Sequence, residues 1–218
     1  MKIEINVPTH LNEITLGQYQ KFLKIAENNP EGDFLNAKMI EIFCGIPLSD
    51  AYTLKMSSVT AITDILHKLF EDTSQEHVER FEMFGIKYGF TPDLDDLTLG
   101  EYVDLDNNAS KWEEMHVAMN VLYRPIVQSN KEKYRIEEYS VANSERMKDM
   151  PLDAAIGSLF FFYNLGAELS KHTILSSESR EEMEDIQVRQ TLEQNGGGIN
   201  LFMHSLTDVL SGLKISLN

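Results

Sequence analysis

One nine-residue phrase occurs twice in this chain and constrains its fold more than any other feature. Leu11-Asn-Glu-Ile-Thr-Leu-Gly-Gln-Tyr19 aligns without a gap onto Leu94-Asp-Asp-Leu-Thr-Leu-Gly-Glu-Tyr102, 83 residues further on. Each copy reads as a helix start. Thr15 with Gln18, and Thr98 with Glu101, have the spacing of a capping box, in which hydroxyl and amide or carboxylate each satisfy an N–H that the first helical turn leaves without a partner. Ile14 with Tyr19, and Leu97 with Tyr102, have the spacing of a hydrophobic staple. An extended, proline-stopped lead precedes both copies. Residues 2–7 alternate, with Ile3, Ile5 and Val7 on one side before Pro8, and residues 84–91 run into Pro92. The chain is thus predicted to use a strand–turn–capped-helix device twice. Convergence on a good helix start and internal duplication both account for this, and nine residues do not choose between them.

The remainder reads as helical. The first capped helix is predicted from Leu16 to Glu27, and a second covers Lys38–Phe43 until Gly45 and Pro47 stop it. Ser57 or Ser58 is expected to cap a helix carrying Val59, Ile62, Leu66 and Leu69 on one stripe. Ser110 and Glu113 form a third capping box, ahead of a helix that Arg124-Pro125 ends. Residues 126–140 are polar and read as a loop or a short strand pair. Pro151 and Asp153 suit the first turn of a helix reaching about Lys171. Ser179 and Glu182 open another helix, Gly196-Gly-Gly198 breaks the chain, and Phe202 to Leu213 make the apolar face of a last helix. The expected fold is mainly α: a compact multi-helix domain with one or two short strands near residues 2–7 and 84–91. Residues 1–150 hold the two strand/capped-helix units, and 151–218 are a helical segment packed on them or part of the same single domain.

Charge narrows the function. Nineteen Lys and Arg face 35 Asp and Glu, a net charge of −16, and that field repels nucleic-acid backbones and anionic lipid. Direct nucleic-acid binding is not expected. The most apolar stretch, Leu152 to Leu169, is interrupted by Asp153, Asn164 and Glu168, so no membrane span is expected. The start of the chain has no uninterrupted apolar run of the kind a secretory signal needs. A single cysteine, Cys44, excludes an internal disulfide and any cysteine-cluster metal site.

No catalytic, metal or cofactor constellation emerges. Glu113-x-x-His116 has one motif of a carboxylate-bundle metal site where two are needed. Asp104-x-Asp106-x-Asn108 opens like a calcium loop but has Ala109 and Met115 where glycine and a bidentate glutamate are required. The triple glycine lacks the Lys-Ser/Thr of a phosphate loop. The expectation is a protein that is not an enzyme and binds no cofactor. Phe160-Phe161-Phe162-Tyr163 is the most unusual local run, because consecutive aromatics on a helix cannot all share one face. These four residues, with Arg124, are the candidate interface residues; burial of the run in the monomer and burial against another subunit both remain open.

The paired Thr-Leu-Gly-[Gln/Glu]-Tyr phrases, the lead Gly89-Phe-Thr-Pro-Asp-Leu-Asp-Asp-Leu97 and the run Val121-Leu-Tyr-Arg-Pro-Ile126 resemble a family of small acidic proteins from the tail-gene region of crAss-like and related short-tailed bacteriophages. The resemblance implies a non-enzymatic virion protein: cargo held in multiple copies inside the tail or portal region and delivered at infection. It implies partners among tail, portal or other cargo subunits, with self-association, and a location in the virion after synthesis in the host cytoplasm. A cytosolic tail-assembly chaperone, absent from the mature particle, is the alternative; a small enzyme with an unrecognised site is the third.

Thr15→Ala and Thr98→Ala are each expected to destabilise the fold by about 1 kcal/mol, because each leaves a helix N–H without its acceptor. Denaturant midpoints check this, and two unchanged midpoints would remove the paired-cap reading.

Overall fold

The computed structural model describes residues 4–71, 76–94, 96–131 and 133–164. The expected helix start at Ser179, the triple glycine and the terminal helix lie outside these residues.

Both repeated phrases fold as capped helices. A 3-10 turn, Leu11–Glu13, leads into α1, Leu16–Ala26. The Gln18 N–H donates to Thr15 Oγ1 over 3.2 Å, and the Thr15 N–H donates to Gln18 Oε1 over 2.8 Å. Helix α2, Asp33–Cys44, stops at Gly45, whose φ of 67° is the left-handed cap that glycine adopts without a Cβ clash. A short turn, α3, Leu48–Ala51, leads to α4, Met56–Glu71. This helix starts upstream of the expected caps, so Ser57 and Ser58 lie inside its first turn. Tyr19, Phe22, Phe43 and Phe70 bring α1, α2 and α4 together through ring contacts of 5.1–5.6 Å.

The expected mainly α class is overturned by a four-stranded antiparallel sheet. Strands β1, Arg80–Met83, and β2, Ile86–Phe90, form a hairpin. Its turn residues Phe84 and Gly85 both have positive φ, 54° and 73°, as a two-residue turn matched to strand twist requires. After β2 the chain makes α5, Leu99–Asn108, a 3-10 turn, Trp112–Glu114, and α6, Met115–Leu122. It then returns as β3, Tyr123–Asn130, and β4, Lys133–Ile136. The order is β1-β2-β3-β4, with Phe90 opposite Tyr123 and Tyr88 opposite Pro125. The fold is therefore mixed α and β. The extended lead at 84–91 contributes β2, whereas residues 4–7 carry no strand. The third capping box does not form: the turn after Lys111 has no side-chain cap, and Glu114 precedes α6.

Helix α6 is the centre of the molecule. Met115, Ala118, Met119, Val121 and Leu122 are all buried, and so are its polar residues His116 and Asn120. A long 3-10 helix, Val141–Asp149, lies against it and against α1. The chain then passes α1 in extended form before the last described helix, α7, residues 152–164. Pro151 is not yet helical; it forms an antiparallel bridge with Thr15. No helix of the described residues is long and apolar enough to cross a membrane.

This passage makes the two repeats unequal. Beside α1, a Cβ added to Gly17 would lie 2.9 Å from the Lys148 carbonyl oxygen, whereas one added to Gly100 in α5 meets none of the described residues within 4 Å. Gly17→Ala is expected to destabilise by about 1–3 kcal/mol through overpacking. Gly100→Ala, at the equivalent position, is expected to stabilise by up to about 1 kcal/mol through helix propensity. Thermal or denaturant unfolding of the two variants checks the opposite signs.

Candidate functional site

The second cap carries a buried charge. Glu101 Oε2 accepts from the Thr98 N–H over 2.8 Å and from the Thr98 hydroxyl over 2.7 Å. Its other oxygen, Oε1, lies 2.8 Å from an Arg124 guanidinium nitrogen. Both side chains are almost wholly out of solvent, Glu101 at 6% and Arg124 at 12% exposure. A second Arg124 nitrogen donates to Thr91 Oγ1 over 3.1 Å, while its Nε is buried without a partner. Burial alone raises the Glu101 carboxyl, but the Thr98 hydrogen bonds and the Arg124 charge outweigh it and hold it below the ordinary carboxylate value. Arg124, a candidate interface residue, is thus an internal tie between β3, α5 and the end of β2.

The same position in the first copy is neutral for a visible reason. Gln18 uses its oxygen on Thr15 and donates its amide nitrogen to the Ile42 carbonyl over 2.8 Å. A carboxylate could not donate there, and an amide could not neutralise Arg124.

Around Arg124 runs a narrow cleft lined by Tyr88, Asn120, Glu138, Asn143 and Arg146. It has room for about one water molecule and mixes both signs of charge. Among the described residues, no group of three or more His, Cys, Asp and Glu could hold a metal ion. His116 of the Glu113-x-x-His116 motif faces Glu145 and Gln20 instead, each at 3.3 Å. Asp104, Asp106 and Asn108 are helical residues of α5, and Asp104 accepts from the Tyr139 hydroxyl over 2.7 Å. Cys44 is half-buried, and burial pushes its thiol up to about 11.

The aromatic run on α7 divides. Phe161 stacks on His77 with ring centres 4.7 Å apart and meets Phe90 edge-on at 5.7 Å. Phe162 packs on Phe90 and Phe161. Phe160 is half-buried against the same core, and Tyr163 is exposed. Much of the run therefore belongs to its own domain, with His77 held between Phe90 and Phe161. Burial lowers the His77 pKa, which keeps the ring neutral inside this cluster.

A group of exposed apolar side chains lies on α5. Leu99 is 79% exposed, Tyr102 50% and Val103 43%. Their spacing places them on one helix face. Their counterparts in the first copy, Leu16 and Tyr19, are 0% and 3% exposed. Sequence reasoning singled out Tyr102 only as a staple and missed this face. The available signal was three apolar residues at helical spacing within an acidic stretch. Phe84, at the hairpin tip, and Tyr52 are further exposed aromatics, at 73% and 59%. No protein-family model, curated protein or solved structure matches this chain.

Arg124→Met is expected to destabilise by about 3–5 kcal/mol, because it leaves the Glu101 carboxylate buried without its cation. Adding Glu101→Gln to that variant should recover much of the loss. Because the folded Glu101 carboxyl titrates below its unfolded value, its stabilisation is complete above the unfolded value and lost as pH falls through the folded one. Denaturant midpoints measured into the acid range should fall less steeply for Glu101→Gln than for the natural chain.

Proposed function

We propose that this chain is a non-enzymatic protein-binding component of a tailed-phage particle, carried as cargo in the tail or portal region and delivered at infection. The observation that carries the binding role is the Leu99, Tyr102 and Val103 face, apolar and exposed on a chain of net charge −16. Apolar side chains grouped on one exposed helix face, rather than scattered singly, support a protein contact. The virion setting rests on the resemblance carried by the paired Thr-Leu-Gly-[Gln/Glu]-Tyr phrases and the Val121–Ile126 run. The partners are then other virion proteins of the tail, portal or cargo. Direct contact with the packaged nucleic acid is opposed by the net charge.

Quantitative mass spectrometry of purified particles tests the setting. Cargo is expected at many copies per particle. Presence in infected cells with near absence from particles would assign the chain to assembly as a chaperone and overturn the cargo reading.

A further inference from the structure

The first copy of the repeated phrase shows what its capped helix start holds. The segment Met150-Pro151-Leu152 crosses it antiparallel. The Leu16 N–H donates to the Met150 carbonyl over 2.9 Å, and the Leu152 N–H donates to the Ile14 carbonyl over 2.9 Å. Between these bonds, Pro151 lies opposite Thr15. The proline fits because the Thr15 backbone has nothing left to pair. Its N–H is held by Gln18 Oε1, and its carbonyl accepts from the Tyr19 N–H over 3.2 Å. A residue without an N–H therefore leaves no group unsatisfied there. Gly17 lets the Lys148 carbonyl come close, and Leu16, Met150 and Leu152 are fully buried.

Among the described residues, the second copy presents the same arrangement without an occupant. The Thr98 N–H is held by Glu101 over 2.8 Å, and its carbonyl accepts from the Tyr102 N–H over 2.9 Å. Among the described residues, the Leu99 N–H and the Leu97 carbonyl have no backbone partner in this role. No described residue comes within 4 Å of a Cβ added at Gly100, and Leu99 and Tyr102 are exposed.

We infer that the start of α5 is a docking site for an extended apolar–Pro–apolar segment of a partner protein, bound antiparallel across Thr98. The segment accepts from the Leu99 N–H through the carbonyl before its proline. It donates to the Leu97 carbonyl through the N–H after its proline. Its two apolar side chains cover Leu99 and Tyr102. The exposed carboxylate Asp96, two positions before Thr98, favours a basic residue in the segment. The same charge, within a chain of net −16, disfavours a second copy of this acidic chain as the occupant. The inference rests on the protein-binding reading but not on the virion setting, which particle composition tests separately.

The probe is a synthetic peptide with the sequence of residues 146–154, Arg-Met-Lys-Asp-Met-Pro-Leu-Asp-Ala, titrated into the full chain and followed by amide NMR. A saturable shift of the Leu99 amide, with smaller shifts at Tyr102 and Val103, is expected. Leu99→Asp should weaken binding about tenfold or more, through lost apolar burial and an added charge. It should leave the unfolding midpoint unchanged or slightly raised, since the side chain is exposed and an acidic residue suits a helix N-terminus. Gly100→Ala should also weaken binding, although it stabilises the free chain, because its methyl group occupies the space of the approaching carbonyl. A peptide with Asp at both apolar positions should not bind. The inference is overturned by no Leu99 shift at millimolar peptide, or by binding that ignores Leu99→Asp and Gly100→Ala. Shifts confined to α1, or concentration-dependent Leu99 shifts without peptide that reveal a second copy as occupant, would overturn it equally.

Discussion

The junction between α6 and β3 holds the rest of the molecule in place. Helix α6 is buried along most of its length, and the chain leaves it directly as a strand at Tyr123. The following residue, Arg124, precedes a proline, which disfavours helical backbone and makes the change of state abrupt. Successive strand residues then point to opposite faces. Tyr123 turns into the core, where its hydroxyl meets the Val78 carbonyl at 2.6 Å and Ser158 Oγ at 2.8 Å. Arg124 turns the other way, to Glu101 and Thr91. One side chain ties the sheet to α7, and the next ties it to α5. Loss of the strand geometry here would release both.

What the sequence reveals follows from the range of the interactions involved. The boxes at Thr15/Gln18 and Thr98/Glu101 are contacts between residues three apart, so they are legible without knowing the fold. The sheet is different. β1 is four residues long, and β3 contains Pro125 and ends in the polar run Gln128-Ser129-Asn130. β1 alternates polar and apolar residues, but over four positions only, and β3 carries no sustained alternation. Pairing across the sheet makes them strands: Arg80 meets Gly89, and the Tyr134 hydroxyl reaches the Phe90 carbonyl over 2.6 Å. Residues 2–7 alternate more cleanly than β3, yet 4–7 take no strand. Alternation permits a strand, but a partner is needed to form one. Ser110 and Glu113 show the same limit, since the chain there makes a 3-10 turn that starts after Lys111 and leaves the serine outside.

The two copies of the phrase share their first turn and little beyond it. In α1 the buried residues are Leu16, Tyr19, Phe22 and Leu23, whereas in α5 they are Glu101 and Leu105, followed by Ala109 at the cap. A common cap therefore does not make the two elements structurally equivalent. Convergence and duplication both predict the matching caps, and the differing faces show that each helix answers to its own neighbours. The aromatic run on α7 shows the same dependence: Phe161 and Phe162 are turned inward by Phe90 and His77, partners far away in sequence.

The difference between the copies starts at one atom. Gln18 ends in an amide nitrogen, a donor, and finds the Ile42 carbonyl of α2. Glu101 ends in an oxygen with a negative charge and finds Arg124 of β3. A buried carboxylate is tolerated only where hydrogen bonds and a cation meet it, so the face of α5 that bears Glu101 has to turn toward the sheet. Leu105 and Ala109 lie four and eight positions further on and follow it inward. Leu99 and Tyr102 flank Glu101 in the sequence but lie around the helix from it, so the same rotation turns them outward. Exposure of the apolar face is then a consequence of satisfying the ion pair. The Glu101–Arg124 pair fixes the orientation of α5, and with it the outward position of Leu99 and Tyr102.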